Sequence, residues 1–173
     1  KDSRKRLKSV NDVSVRTFVN QTGQSVTIGF FGICTAATPT LSFSCPKSLA
    51  FLNVVQSSQE CVDLLKAQGV DVIVGITHVS VAQDREIATR VKGIDVLLGG
   101  HDHYPIEEKI GDTLLLKCGQ DSELLGVVTI SARKGDPTKG IKWEMVNVMT
   151  SPPAQDVLDV ITEFDQKPKD FAE

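Results

Sequence analysis

The residues best suited to chemistry in this chain are its imidazoles. All three histidines of the 173 residues, His78, His101 and His103, fall between Val70 and Pro105, each just past an apolar run that reads as a strand. Neutral imidazole is a common ligand for zinc, iron and similar ions. His101 and His103 are two residues apart, so an extended segment would project both to the same side. Gly99 and Gly100 remove side-chain bulk just before His101, which permits close backbone approach to an ion or a phosphate. One histidine near a strand end is more often a hydrogen-bonded loop residue, but three at two neighbouring strand ends point to a metal. We therefore read His78, His101 and His103 as metal ligands. The nearby acids read as structural: Asp84 as a helix cap, Asp71 and Asp95 as residues opening strands, and Asp102 as pointing away from its histidine neighbours.

For His78 and His101 to converge, the runs that precede them must lie side by side. VDVIVGIT and IDVLL are short and unbroken in apolar character, the pattern of strands buried on both faces of a parallel sheet. Between them REIATRVK, capped by Asp84 and ended by Gly93, reads as a helix with Ile87, Ala88 and Val91 on one face. Strand, helix and strand within about 30 residues make a βαβ unit with a right-handed crossover. Ligands of such sheets gather outside the carboxyl ends of the strands, where His78 and His101 stand.

The flanking segments complete the reading. VSVRTFV and VTIGFFGIC form a hairpin around NQTGQS, the second strand the more deeply buried. ATPTLSFSCPKS is a loop. A helix runs from near Asn53 or Ser57 to Gln68, with a Ser57–Glu60 capping box and Gly69 at its end. DTLLLKCG, SELLGVVTISARK and GIKWEMVNVM read as strands separated by turns. In the last, Ile141, Trp143 and Met145 alternate with Lys142 and Glu144, giving one wet face. SPPAQDVLDVITEFDQ closes the chain as a helix stopped by Pro168. The expected class is α/β, with a parallel βαβ unit followed by antiparallel strands.

Composition narrows the function classes. Hydrophobic residues at 40% and charged residues at 24% fit an ordinary globular protein, and the length suffices for one domain with a real core. A net charge of −3 argues against recruitment of nucleic acid or an acidic membrane by global basicity. The one basic cluster, KDSRKRLK, reads as a solvated arm. No apolar run approaches membrane-spanning length, no signal-peptide pattern opens the chain, and Lys1 stands where an initiating Met would. These features are expected of a processed chain or an excised piece. Cys34, Cys45, Cys61 and Cys118 form no CxxC pair; Cys34 and Cys61 are expected as buried thiols, and spacing leaves a Cys34–Cys45 bridge open.

Three imidazoles can make a tetrahedral zinc site with one open water position. Phosphate-ester hydrolysis more commonly uses two ions about 4 Å apart, bridged by a carboxylate. Three imidazoles cannot complete such a pair. Either the site is mononuclear, or the remaining ligands lie on sequence outside this chain.

The run Gly75-Ile76-Thr77-His78, then Asp84, Val91-Lys92-Gly93-Ile94-Asp95 and Gly99-Gly100-His101-Asp102-His103, resembles the calcineurin-like metallophosphoesterases. Within them it is most similar to the 5′-nucleotidase-like branch. VTIGFFGI upstream and LLLKCGQDSELLGVVTI downstream extend the resemblance over residues 25 to 132. The resemblance implies part of a layered α-β-β-α sandwich. Residues 1–150 would be the C-terminal half of the metallophosphoesterase domain, and 151–173 a terminal helix leading toward a C-terminal domain that is absent here. It implies a divalent metal pair (Zn, Mn, Fe or similar), with His78 and His101 on one ion and His103 on the other.

The family's DxH, GDxxD and GNH motifs do not occur in this chain. The implied function is thus a fragment of a metal-dependent phosphoric ester hydrolase. The intact protein would hydrolyse nucleoside monophosphates with a metal-bound hydroxide, while the isolated chain would be inactive and hold one ion or none. The implied partner is a small-molecule phosphate ester, a nucleotide, with no nucleic acid and no membrane segment. Self-association through the edge left by the missing half-domain is a further expectation. The alternative is a non-catalytic metal- or nucleotide-binding domain, and the compartment stays open between exported or surface-attached and cytoplasmic.

Overall fold

The strand order puts the two histidine-bearing strands side by side in the middle of a sheet. The structure is a computed structural model describing residues 10–46 and 48–165; KDSRKRLK and Pro168 lie outside the described residues. Among the described residues, eight strands and four α-helices follow in chain order: β1 (Ser14–Val19), β2 (Ser25–Cys34), α1 (Thr38–Leu41), α2 (Val54–Ala67), β3 (Val72–His78), α3 (Val81–Arg90), β4 (Val96–Gly99), β5 (Pro105–Ile110), β6 (Thr113–Cys118), β7 (Leu124–Ser131), β8 (Gly140–Asn147) and α4 (Gln155–Asp165). The main sheet has the order β1-β2-β3-β4-β6-β5. Strands β2, β3, β4 and β6 run parallel, and β1 and β5 pair antiparallel at the two edges. This is the expected α/β arrangement, a parallel βαβ unit joined by antiparallel strands.

Each face of the sheet has its own cover. On one face Phe31, Ile73, Leu97 and Leu115 pack against Val54, Val62 and Leu65 of α2 and Ile87 and Ala88 of α3. On the other, Val72, Val74, Val96 and Leu114 meet Val128, Ile130, Ile141 and Trp143 of the β7–β8 hairpin. That second cover stops short of the carboxyl ends of the strands. Ile76 remains 54% exposed and Leu98 36% exposed, so β3 and β4 are not buried on both faces along their whole length as their unbroken apolar runs suggested.

Several local details differ from the sequence reading. Helix α2 is capped by Asn53, whose side chain accepts from the Gln56 N–H at 3.0 Å, so Ser57 and Glu60 lie inside the helix and form no capping box. Helix α3 begins with Ser80, in a reciprocal capping box with Gln83, and Asp84 is a buried residue of its first turn, not its cap. Strand β5 has no counterpart in the sequence reading; it is an edge strand that opens on Pro105, a position where a missing N–H costs no ladder bond. DTLLLKCG forms β6, which joins the parallel set beside β4 instead of the antiparallel strands. Among the described residues, no helix is long and apolar enough to cross a membrane.

The amino ends of the central strands are braced by carboxylates. The Asp71 N–H donates to Thr27 O at 2.8 Å, while its Oδ2 accepts from the Thr27 N–H at 2.8 Å. Asp95 repeats this with Ile73: its N–H donates at 2.9 Å and its Oδ2 accepts at 2.8 Å. The loop after β7 is tied to the same two acids, through the Gly135 N–H on Asp71 and Lys139 Nζ on Asp95. The expectation that both acids open strands holds, with this as its physical content.

Candidate metal-binding edge

At the opposite edge the parallel register levels the histidine loops. His78 ends β3 opposite Cys34 of β2, and Thr77 lies opposite Gly99 of β4. The Gly100 N–H then donates to Thr77 O at 2.8 Å, holding the start of the β4–β5 loop against the end of β3. A Cβ on Gly100 would meet His78 Nδ1 at 3.0 Å, so the glycine makes room for the imidazole. His101 follows with φ of 77°, a left-handed conformation that non-glycine residues rarely adopt. Residues 101 to 104 form a bend rather than the extended segment the HxH spacing suggested.

The outcome is a pair. The His78 and His101 ring centroids are 5.3 Å apart, with the rings at 77° to one another. Two imidazoles bound to one tetrahedral ion at about 2.0–2.1 Å would place their centroids about 5 Å apart. The observed separation therefore fits two donors to a single ion. His103 is exposed further along the bend, and among the described residues no group of three or more His, Cys, Asp or Glu is arranged to hold a metal. Of the three expected ligands the fold brings His78 and His101 together and leaves His103 outside the pair.

Cys34, Cys45 and Cys118 are free thiols, with no Cys34–Cys45 bridge. Cys34 is exposed and Cys61 half-buried, so neither is the fully buried thiol expected.

Beneath the histidine loops lies a residue the sequence reading passed over. Lys117 of β6 is fully buried. Its Nζ donates to Val79 O at 2.8 Å, Gly100 O at 2.7 Å and Asp102 Oδ2 at 2.5 Å, which uses its three hydrogens. Asp84 Oδ2 lies 2.7 Å from the same nitrogen as an ion pair but has no aligned hydrogen bond, while Asp84 Oδ1 accepts from Thr77 Oγ1 at 2.6 Å. Burial pushes the Asp84 carboxyl above the usual carboxylate range, against the pull of Lys117 and Thr77. Burial also opposes ionisation of Asp102, but the hydrogen bond and charge of Lys117 outweigh it and hold that carboxyl below its ordinary value. Asp102 is thus engaged by Lys117, although the segment that carries it is a bend and not the extended run the sequence reading assumed. The available signal for Lys117 was a lone cation in the otherwise apolar run TLLLKC.

The chain is similar in sequence to 5′-nucleotidases and in fold to calcineurin-like phosphoesterases. Over 76 residues the chain is 41% identical to a 5′-nucleotidase of Diplobatis ommata, a match covering 44% of this chain and 13% of that protein. It is 34% identical over 82 residues to the trifunctional nucleotide phosphoesterase protein YfkN of Bacillus subtilis (strain 168), covering 47% and 6%. The chain spans less than a fifth of the length of these curated relatives, and 18% of a snake venom 5′-nucleotidase of Macrovipera lebetinus. No family model matches the chain. Among solved structures, the calcineurin-like phosphoesterase YfkN of Bacillus subtilis superposes with a TM-score of 0.76 at 19% identity, covering 92% of this chain and 58% of that one. A 5′-nucleotidase precursor of Thermus thermophilus superposes with a TM-score of 0.72 at 21% identity, covering 88% and 33%.

Proposed function

We propose that this chain, a relative of the 5′-nucleotidase-like branch of the calcineurin-like metallophosphoesterases, supplies the histidine wall of a divalent-metal centre in a nucleotide phosphoesterase. The carrying observation is the His78–His101 pair, at a ring separation suited to one ion and on the strand edge where parallel sheets collect ligands. His78 and His101 would hold one ion, and His103 would reach a second only if further donors came to meet it. When bound, such ions supply positive charge to a phosphoryl oxygen and acidify water.

This chain's own contribution is orientation. Gly100 seats His78, the left-handed turn at His101 directs the second ring toward the first, and the Gly100–Thr77 bond holds the two loops level. The substrate class is a nucleoside monophosphate, by analogy with the names of its relatives. The chain alone carries no carboxylate in the histidine pair, so in isolation it binds at most one ion and does not turn over substrate.

Calorimetric titration with Zn²⁺ or Mn²⁺ tests this. The wild-type chain should bind one ion, and His101→Ala should abolish most of the heat. Equal heats for both proteins would refute the metal assignment, and robust metal-dependent release of phosphate from AMP by the purified chain would refute its inactivity in isolation.

A further inference from the structure

We infer that Lys117 is a positioning residue, whose buried ammonium clamps the two histidine loops together and sets the approach of His78 to His101. The inference rests on the metal reading above only for what the positioned rings bind.

The placement of its partners carries the argument. Val79, whose carbonyl Lys117 takes, follows His78 in the chain. Gly100, whose carbonyl it also takes, precedes His101, and Asp102 follows His101. Asp84, the fourth neighbour, holds the hydroxyl of Thr77, the residue before His78. Every oxygen around Nζ therefore belongs to a residue next to a histidine in the chain, or to one hydrogen-bonded to such a residue. The stem reaches this point across Gly99, where an added Cβ would meet Lys117 Cε at 2.7 Å and Asp84 Oδ2 at 3.0 Å.

Stability does not account for a lysine here. Burying an ammonium costs several kcal/mol before pairing, and replacing a buried ion cluster by apolar residues is often neutral or stabilising. The three preceding residues of β6 are leucines, buried as fully as Lys117. What a fourth leucine could not supply is a directional tie between a carbonyl of one loop and a carbonyl and a carboxylate of the other.

The test compares Lys117→Met, Lys117→Arg and Lys117→Met combined with Asp84→Asn and Asp102→Asn with the wild-type chain. Far-UV circular dichroism reads the fold, proton NOEs between the His78 and His101 rings read their approach, and visible absorption during a Co²⁺ titration reads metal binding. Lys117→Met should keep the helical signal, lose the inter-ring NOEs and weaken Co²⁺ binding by about tenfold or more. Lys117→Arg should restore part of both. A folded Lys117→Met with unchanged inter-ring NOEs would overturn the inference. If Lys117→Met fails to fold, Lys117→Met combined with Asp84→Asn and Asp102→Asn decides, because it removes the ammonium without leaving an uncompensated buried carboxylate: lost NOEs support the clamp and unchanged NOEs overturn it. A wild-type chain that shows the NOEs but no Co²⁺ spectrum would sink the metal reading, and the NOE comparison would still decide the clamp.

Discussion

Gly100 and His78 compete for the same space: a Cβ on residue 100 would lie 3.0 Å from His78 Nδ1. Gly100→Ala should therefore turn the His78 ring away from His101 without disturbing the core. We expect Co²⁺ affinity to fall by about tenfold while the far-UV spectrum stays that of the wild type. Superimposable titration curves would show that the glycine does not seat the imidazole.

A neighbouring glycine should behave differently. Gly99 borders the buried stem of Lys117 and the Asp84 carboxylate, so Gly99→Ala overfills a site with no slack. The expected cost is about 1–3 kcal/mol of unfolding free energy, read from urea denaturation. A loss below measurement error would mean that Lys117 can move aside.

The start of α2 offers a direct contrast. Asn53→Ala removes the side chain that accepts from the Gln56 N–H and should cost about 1 kcal/mol. Ser57→Ala, inside the helix, should stay within about 0.5 kcal/mol of wild type. The reverse ranking in thermal melts would restore the capping box read from sequence.

Asp71 should make stability depend on pH. The hydrogen bond from the Thr27 N–H lowers its carboxyl, helped by the Gly135 N–H and two nearby lysines and opposed by burial. A folded-state value below the unfolded one means that the stabilisation is complete above the ordinary carboxylate range and fades as pH falls through the folded value. Asp71→Ala should thus lower the melting temperature clearly at neutral pH, and the gap should narrow as the pH falls below the ordinary carboxylate range. A gap independent of pH would assign the loss to packing instead.

The parts of this fold that sequence revealed are those governed by local pattern. Unbroken apolar runs mark β3 and β4, turn chemistry marks the two hairpins, and the strand ends locate His78 and His101. What escapes depends on contacts between distant segments. Strand β5 alternates Ile106 and Ile110 with Glu107 and Lys109, but its glutamates and leading proline obscure an edge strand that needs only one partner. Local pattern assigns Asp84 to a helix end because carboxylates favour that position; its burial follows from Lys117, 33 positions later, which no local window contains. The bend at His101 likewise hides behind the HxH spacing, since a φ of 77° is not one that a histidine's residue type announces.

Asp71 and Asp95 grip the neighbouring strand by the same two-bond motif, first β3 on β2 and then β4 on β3. Repeating one motif across successive strands works as a gauge, fixing each stagger from the rear of the sheet. Strand β3 spans seven residues, about 23 Å at 3.3 Å per residue, between that gauge and His78. Alignment of the imidazoles at the front is thus calibrated remotely, and drift acquired at the back would reappear as misalignment of His78 with His101.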